Sequence, residues 1–284
     1  YLSDFFHPGI EALRYFRARN LTIGAFCWAQ TFDVYDFTRR YLPWMRMYEY
    51  MAADICDHIF VASSMLAELI NVATPGLEKK VHVVGLPFNS RAVRKFYTDA
   101  IASNVTPIRE IGKYDVVYSS RLDWEKDPQF LYDVMRACPE LKFAVCSGKK
   151  SLLTDDVKLK EILVKISVLP NVTILLDLSK AEYYTVLKQS KVQFNCAKQD
   201  WVSYTLLEAL TFGCIPAYPM FRSFPEALNY EACYMYTPGS VDSAQLCLET
   251  CLESSNLELR AERREKVLDY HDAALSRILA YLSL

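Results

Sequence analysis

Short apolar runs, each followed by a segment of helical pattern, recur along the chain: LTIGAFCW (21–28), HIFVAS (58–63), VHVVGL (81–86), YDVVYSS (114–120), LKFAVCSG (141–148), NVTILL (171–176), KVQFNCA (191–197) and CIPAYP (214–219). A strand buried on both faces reads as a continuous apolar run, and helices between such strands cover the two faces of a parallel sheet. The repetition predicts an α/β chain of the doubly wound type. Helices are expected at 44–56, over MLAELINV, and at 127–137, 153–167, 180–189 and 204–212, with a helical tail from about 240. FYTDAIASNVTPIREIGK (96–113) is polar, poorly periodic and contains Pro107, which fits a linker. The expected organisation is an N-terminal Rossmann-like domain over 1–95, truncated or minimal, and a linker over 96–110. A second Rossmann-like domain follows over 111–255, then a C-terminal helix over 256–284 that packs back on the first domain.

At 284 residues the chain can hold two domains of ordinary size, and 52% hydrophobic against 23% charged residues is a globular composition. A net charge of −2 announces neither a nucleic-acid binder nor a membrane-surface protein. No apolar run approaches the roughly 20 residues that span a bilayer, and no signal peptide precedes the first strand, so an intracellular location is expected. The chain opens on Tyr1 without Met, which leads to the expectation that an upstream portion is missing. The nine cysteines are an odd number scattered through apolar segments (Cys27, Cys56, Cys146, Cys196 and Cys214 among them) and read as buried thiols of a reducing compartment. Cys247 and Cys251 stand four apart without a second ligand pair, so no metal site is expected. Three Asn-X-Thr triplets (Asn20, Asn104, Asn171) are taken as chance, Asn171 because NVTILL reads as an interior strand. With eight glycines there is no GxGxxG and no GxxxxGK, which removes the main support for dinucleotide dehydrogenase and P-loop readings, and no GxSxG elbow is present. His7, His58, His82 and His271 form no metal or triad signature and are expected at strand ends or on the surface.

The chemistry concentrates in two places. In KQDWVSYTLLEALTFGCIPA (198–217), Ser203 can cap a helix that ends at Gly213, and Pro216 cannot continue it. Strand, polar loop and helix N-terminus together form the usual anion site of α/β proteins. Asp200 lies in the loop, and Glu208 lies roughly 7–8 Å farther along the helix axis at 1.5 Å per residue. The two acids could touch different ends of one elongated ligand; a capped surface helix with an unrelated acid is the alternative. In YSSRLDWEKDPQFL (118–131), Arg121 and Lys126 fall in the loop between the second domain's first strand and first helix, with Asp127 placed to cap and Pro128 in the first turn. Both loops sit at carboxyl ends of strands, where open parallel sheets bind ligands, and two cations beside a helix N-terminus suit a diphosphate. Either cation alone is equally a solvated loop charge.

The order Arg-Leu-x(3)-Lys-x-Pro, a strand ending in Ser-Gly, Asn-Val before an apolar strand, and acid-x(7)-Glu-Ala-Leu-x-x-Gly-x-Ile-Pro resembles the retaining, family-4-like glycosyltransferases of GT-B fold. The match is dense over 111–230. It implies two Rossmann-like domains facing a cleft and transfer of a sugar, glucose as first choice, from a nucleotide-sugar donor, UDP-linked as first choice. The donor is a cosubstrate, with no bound cofactor and no metal. The resemblance makes Arg121 and Lys126 the diphosphate clamp, Glu208 the ribose ligand and Asp200 the sugar contact. The donor set is completed by Ser120, Ser203, Tyr204 and Thr205, and the catalytic set is Arg121, Lys126 and Asp200. SFPEAL (223–228) corresponds to the family's Gly-Gly-x-Pro-Glu loop. Three departures stand out. Asp200 replaces the usual Glu, Val202 and Ser203 replace Phe-Gly, and the early Gly-rich loop of the first domain is lacking.

LSDFFHPGIEALRYF (2–16) and AFCWAQTFDVYDFTRRYLPWMR (25–46) resemble segments of glycosyltransferases, from phages and base-modifying systems, that act on hydroxymethylated bases in DNA. Arg14, Arg17, Arg19, Arg39, Arg40 and Arg46 are interleaved with Trp28, Phe32, Tyr35, Phe37 and Trp44, cations for phosphates and rings for an extruded base. Solvated arginines around core aromatics are the alternative. Trp28, Gln30, Asp33 and Asp36 are the acceptor-side candidates. DNA is thus the first acceptor considered, a glycan, lipid or protein hydroxyl the second, and a catalytically degenerate nucleotide- or nucleic-acid-binding module the third. The sequence says nothing firm about oligomeric state.

Overall fold

A computed structural model describes residues 12–103, 112–150, 157–253 and 257–282. The chain divides into two compact units, the first comprising 1–88, 199–202 and 269–284, the second 89–198 and 203–268.

Among its described residues, the first unit holds α1 (Leu13–Arg17), β1 (Gly24–Phe26), α2 (Leu42–Ile55), β2 (His58–Val61), α3 (Ser64–Ala73) and β3 (Val81–Val83). The strands form a parallel sheet in the order β1-β2-β3, with Ala25 opposite Ile59 and Phe60 opposite His82. Ser63 starts α3 by accepting the Leu66 N–H, the role an N-cap serine plays for an orphan donor. Ala25, Ile59 and Val61 from the strands pack with Ala52, Ile55, Leu66, Ile70 and Trp201 into one core. The sheet is small because each run supplies only three or four paired residues.

The second unit contains α4 (Ser90–Ser103), β4 (Tyr114–Tyr118), α5 (Pro128–Ala137), β5 (Phe143–Cys146), α6 (Val157–Ser167), β6 (Val172–Leu175) and α7 (Lys180–Lys188). It continues through β7 (Ser190–Phe194), α8 (Tyr204–Thr211), β8 (Ile215–Pro219), α9 (Phe224–Ala227), β9 (Met235–Tyr236) and α10 (Val241–Leu252). The tail adds α11 (Leu257–Asp272), most of which belongs to this unit, and α12 (Ala274–Tyr281), which belongs to the first. The sheet is parallel in the order β6-β5-β4-β7-β8-β9, a doubly wound sheet whose order reverses between β4 and β7. In such sheets the crevice outside the strand ends at that reversal is the natural ligand site.

Four expectations need correction. The segment 96–103 is helix rather than linker. Asn89 Oδ1 accepts the Ala92 N–H at 2.8 Å and starts α4, and Val93 and Tyr97 pack against Tyr184 and Ala209. The polar outer face of α4 hid that stripe. The helix at 180–188 was anticipated, but NVTILL forms the edge strand β6, not an interior one. Its Asn171 amide is consumed by the carbonyls of Met135, Cys138 and Leu141 at 3.0, 3.0 and 3.3 Å, so the triplet is a helix-end clasp. Asp127 does not cap α5 with its side chain; it sits at φ +48° and its carboxylate meets Lys198 Nζ at 2.8 Å. His271 is buried and accepts the Leu86 N–H on Nδ1, while His58 and His82 form a strand-to-strand pair at 2.9 Å. His7, Asn104 and Pro107 lie outside the described residues. Cys27, Cys56, Cys146, Cys196, Cys214, Cys247 and Cys251 are buried, whereas Cys233 is exposed. No helix among the described residues is long and apolar enough to cross a membrane.

Candidate nucleotide site

A cavity of about 240 Å³ lies over the carboxyl ends of β4 and β5 in the second unit. Ser119 follows β4, Ser147 and Gly148 follow β5, Lys180 opens α7, and Thr205 and Glu208 come from the first turns of α8. The order reversal at β4 and β7 brings these segments, about 90 residues apart at the extremes, around one opening.

Each wall is set locally. Ser203 caps α8 by accepting the Thr205 N–H at 3.2 Å, and its hydroxyl is 2.6 Å from that of Thr205. Gly213, at φ +94°, takes the left-handed position just past the helix, where a side chain would be strained. Ser179 and Glu182 form a reciprocal capping box that fixes the start of α7. Beneath the cavity the fully buried Gln193 of β7 donates to the hydroxyls of Ser119 and Thr205, both at 3.4 Å, and accepts from Tyr218 at 2.5 Å.

Glu208 is the charged centre of the cavity and is only 7% exposed. Its Oε1 receives the Lys180 ammonium at 2.5 Å and the Tyr184 hydroxyl at 3.1 Å. The ammonium also stands 5.1 Å from the ring centroids of both Tyr183 and Tyr184. Burial first, and then the Glu208 charge, pushes the Tyr184 phenol up from its usual range. The Tyr183 hydroxyl is buried toward Ser119 without a hydrogen bond of normal geometry, and burial drives its pKa well upward as well. Both phenols are therefore neutral donors at ordinary pH.

Of the expected donor residues, the structure brings Thr205 and Glu208 into this cavity and places Ser203 at the cap that supports them. Ser119 lines it in place of Ser120. Tyr204 is exposed at the start of α8. Arg121 and Lys126 lie in the loop leaving the same strand as Ser119 but not in the lining. Arg121 is exposed and paired with Asp123 at 3.2 Å and with Glu125 at 2.8 Å. Lys126 is drawn into a tight turn with only 8% exposure, and its carbonyl accepts from the Cys196 thiol. Asp200 belongs to the 199–202 segment that groups with the first unit. Lys180, Tyr183 and Ser147 went unnoticed at the sequence level as site residues. The capping motif before Lys180 was visible, but nothing local relates it to Glu208.

The acceptor-side candidates of the first unit serve its own loop. Asp36 accepts the Thr38 N–H and hydroxyl and an amide hydrogen of Gln199; Asp33 accepts the Tyr35 N–H; Gln30 donates to the Cys27 sulfur. All three are buried, and Trp28 packs on Phe26 at 4.4 Å. Four of the six arginines are likewise engaged within the unit. Arg14 pairs with Asp54, Arg17 donates to the Asp54 and Ile55 carbonyls, and Arg39 donates to the Thr31 carbonyl. Arg46 lies over the Phe32 ring and pairs with buried Glu49. Among the described residues no His, Cys, Asp or Glu cluster is arranged to hold a metal ion.

No family model matches the sequence, and no curated protein is similar to it. Solved structures are. Anabaena HepE in complex with UDP and glucose superimposes with a TM-score of 0.72 at 15% identity, over 96% of this chain and 76% of that one. A trehalose-6-phosphate synthase, OtsA, gives 0.66 at 14% identity over 96% and 70%. A UDP-forming α,α-trehalose-phosphate synthase from Burkholderia xenovorans in complex with glucose 6-phosphate gives 0.70 at 10% over 97% and 71%. These structural neighbours are glycosyltransferases, and the fold they share with this chain is GT-B.

Proposed function

We propose that the chain transfers a sugar from a nucleotide-sugar donor to an acceptor hydroxyl. The observation that carries this reading is the nearly buried Glu208 carboxylate in a polar cavity at the sheet's order reversal. The GT-B fold, shared with neighbours that are glycosyltransferases, supports nucleotide-sugar transfer. In this reading the nucleoside occupies the cavity, with Glu208 accepting from the ribose hydroxyls and Thr205, Ser119 and Ser147 supplying neutral donors. Arg121 and Lys126, on the loop leaving β4, meet the diphosphate, and Asp200 meets the sugar. UDP and glucose are the first choices, because the neighbouring HepE structure holds UDP and glucose.

The bond between the anomeric carbon and the diphosphate oxygen breaks as the acceptor oxygen bonds that carbon from the same face. The acceptor proton passes to the departing phosphate oxygen, which is retention without an enzymic nucleophile. Negative charge grows on the diphosphate, and preplaced Arg and Lys charges stabilise it. Arg121 must first exchange Asp123 and Glu125 for phosphate. A UDP-glucose turnover assay with and without hydroxymethylated DNA tests the activity and the first acceptor choice together. Absence of UDP release with any acceptor overturns the reading.

A glycan, lipid or protein hydroxyl is favoured as the second acceptor reading by a specific observation. Arg14, Arg17, Arg39 and Arg46 are tied to groups of their own unit, which reduces the charge available to a polyanion. The pairing of Arg121 with two carboxylates likewise supports the third reading, a GT-B module that binds nucleotide without turnover.

A further inference from the structure

Glu208 has two oxygens in unequal circumstances. Oε1 takes both the Lys180 ammonium at 2.5 Å and the Tyr184 hydroxyl at 3.1 Å, whereas Oε2 receives no hydrogen bond from the described residues. An ionised carboxylate offers about four lone-pair sites, so about two remain, all on the oxygen not yet engaged. Oε2 is thus left as an open acceptor in the cavity lining, which a ligand that brings donors can engage. A vicinal diol brings two.

We propose that Lys180 is a positioning residue for nucleotide binding: by holding Oε1 together with Tyr184, it reserves Oε2 for the 2′,3′-diol of a ribonucleoside diphosphate. The inference rests on the nucleotide-sugar reading given above and adds to it the residue that sets ribose selectivity. Lys180 is suited to this role. Its side chain is 52% exposed whereas that of Glu208 is 9% exposed, so the ammonium acts on the carboxylate from the rim of the cavity. Its effect is exerted on the orientation of the carboxylate. Without the ammonium on Oε1, the Glu208 carboxylate would be free to rotate, and the diol would lose a fixed acceptor.

The test is binding of UDP and of 2′,3′-dideoxy-UDP to the full chain, its Lys180→Met, Lys180→Arg and Tyr184→Phe variants, and Glu208→Gln. The unaltered protein should prefer UDP by about tenfold or more, the loss expected for hydrogen bonds to a charged group. Lys180→Met should erase most of that preference while the protein stays folded, Lys180→Arg should restore it, and Tyr184→Phe should reduce it partially. Combining Lys180→Met with Glu208→Gln should lower the preference no further than Glu208→Gln alone. If Lys180→Met binds UDP with the preference intact, the role of Lys180 is refuted while the donor reading stands. Equal weakening toward both nucleotides refutes it too, because that is the signature of general attraction to phosphate. An unaltered protein that neither binds UDP nor turns over UDP-glucose refutes both.

Discussion

The Tyr218 hydroxyl donates to Oε1 of Gln193 at 2.5 Å, one strand away in the middle of the sheet. A fully buried glutamine at a position that ordinarily holds an aliphatic residue is retained here by complete use of its amide. The oxygen accepts from Tyr218, and the nitrogen donates to Ser119 and Thr205, which line the same cavity as Glu208. Gln193→Leu is expected to cost about 1–3 kcal/mol by stranding the phenol. It should also weaken UDP binding, because two cavity hydroxyls lose their anchor. Tyr218→Phe should cost a similar amount of stability with a smaller effect on binding. Denaturant titration and UDP calorimetry on the two single variants and the double variant measure both; equal effects of the two singles on UDP affinity would refute the positioning role of Gln193.

Arg121 has two roles that one substitution confounds. It is the expected diphosphate ligand, and it is the partner of the buried Glu125 carboxylate at 2.8 Å. Arg121→Ala should lower turnover of the nucleotide-sugar by about 100-fold or more, the scale for losing a preplaced transition-state donor. It should also destabilise the fold, since Glu125 then keeps a buried charge without its ion pair. Arg121→Ala combined with Glu125→Gln should recover the stability and leave turnover low. Recovery of turnover in the double variant would show that Arg121 matters only for the fold.

Local signals were legible and distant partnerships were not. Ser203, Gly213 and the capping helix around Glu208 follow from residues adjacent in sequence, and the structure places them as the sequence suggests. Lys180 was invisible as a site residue because its partner lies 28 positions away and meets it only through the crossing of α7 and α8 over the sheet. The arginine-rich N-terminal segment suggested a polyanion surface for the same reason. Nothing local in Arg14 or Arg17 announces Asp54 and Ile55, about 40 residues on, as their partners. The second half of α4 reads as linker because few apolar positions, Val93 and Tyr97 among them, mark the packed face of the helix, too few for a clear period.

Glu49 is a buried carboxylate held by the Thr31 N–H and hydroxyl, both at 2.7 Å, and by Arg46 at 3.2 Å. Desolvation outweighs these partners and leaves its pKa raised above 4.5. Arg46→Met should destabilise the first unit by about 3 kcal/mol at neutral pH, the scale for breaking a buried pair. With the cation gone, the folded-state pKa of Glu49 rises further, and the folded state then holds the proton more tightly than the unfolded chain. The penalty should therefore shrink as pH falls from 8 toward about 5, contrary to ordinary acid destabilisation. A penalty independent of pH would mean that the cost is lost packing on Phe32 rather than a stranded charge.

His271 should make the first unit sensitive to acid. Its Nδ1 accepts the Leu86 N–H at 2.9 Å, so the folded state requires a neutral ring. Burial, and then the Arg277 charge, lowers its pKa to about 4, opposed by the Asp272 charge. Arg277 itself donates to the Val84 carbonyl at 2.9 and 2.6 Å, and Gly85 at φ +80° has no room for a Cβ, which would stand 2.9 Å from Tyr270. The loop after β3 is therefore pinned against the ring and cannot yield to a protonated form. Between an unfolded pKa near 6.5 and the folded value, the unfolded chain binds the extra proton, so stability falls as pH falls through that window. The contribution at stake is about 3 kcal/mol, complete only near pH 4. In His271→Gln the side-chain oxygen can still accept from Leu86 while nothing titrates. The difference in unfolding free energy between the protein and this variant should change by about 2 kcal/mol between pH 7 and 5, measured by urea titration at each pH. A constant difference across that range would show that the histidine does not control the acid response.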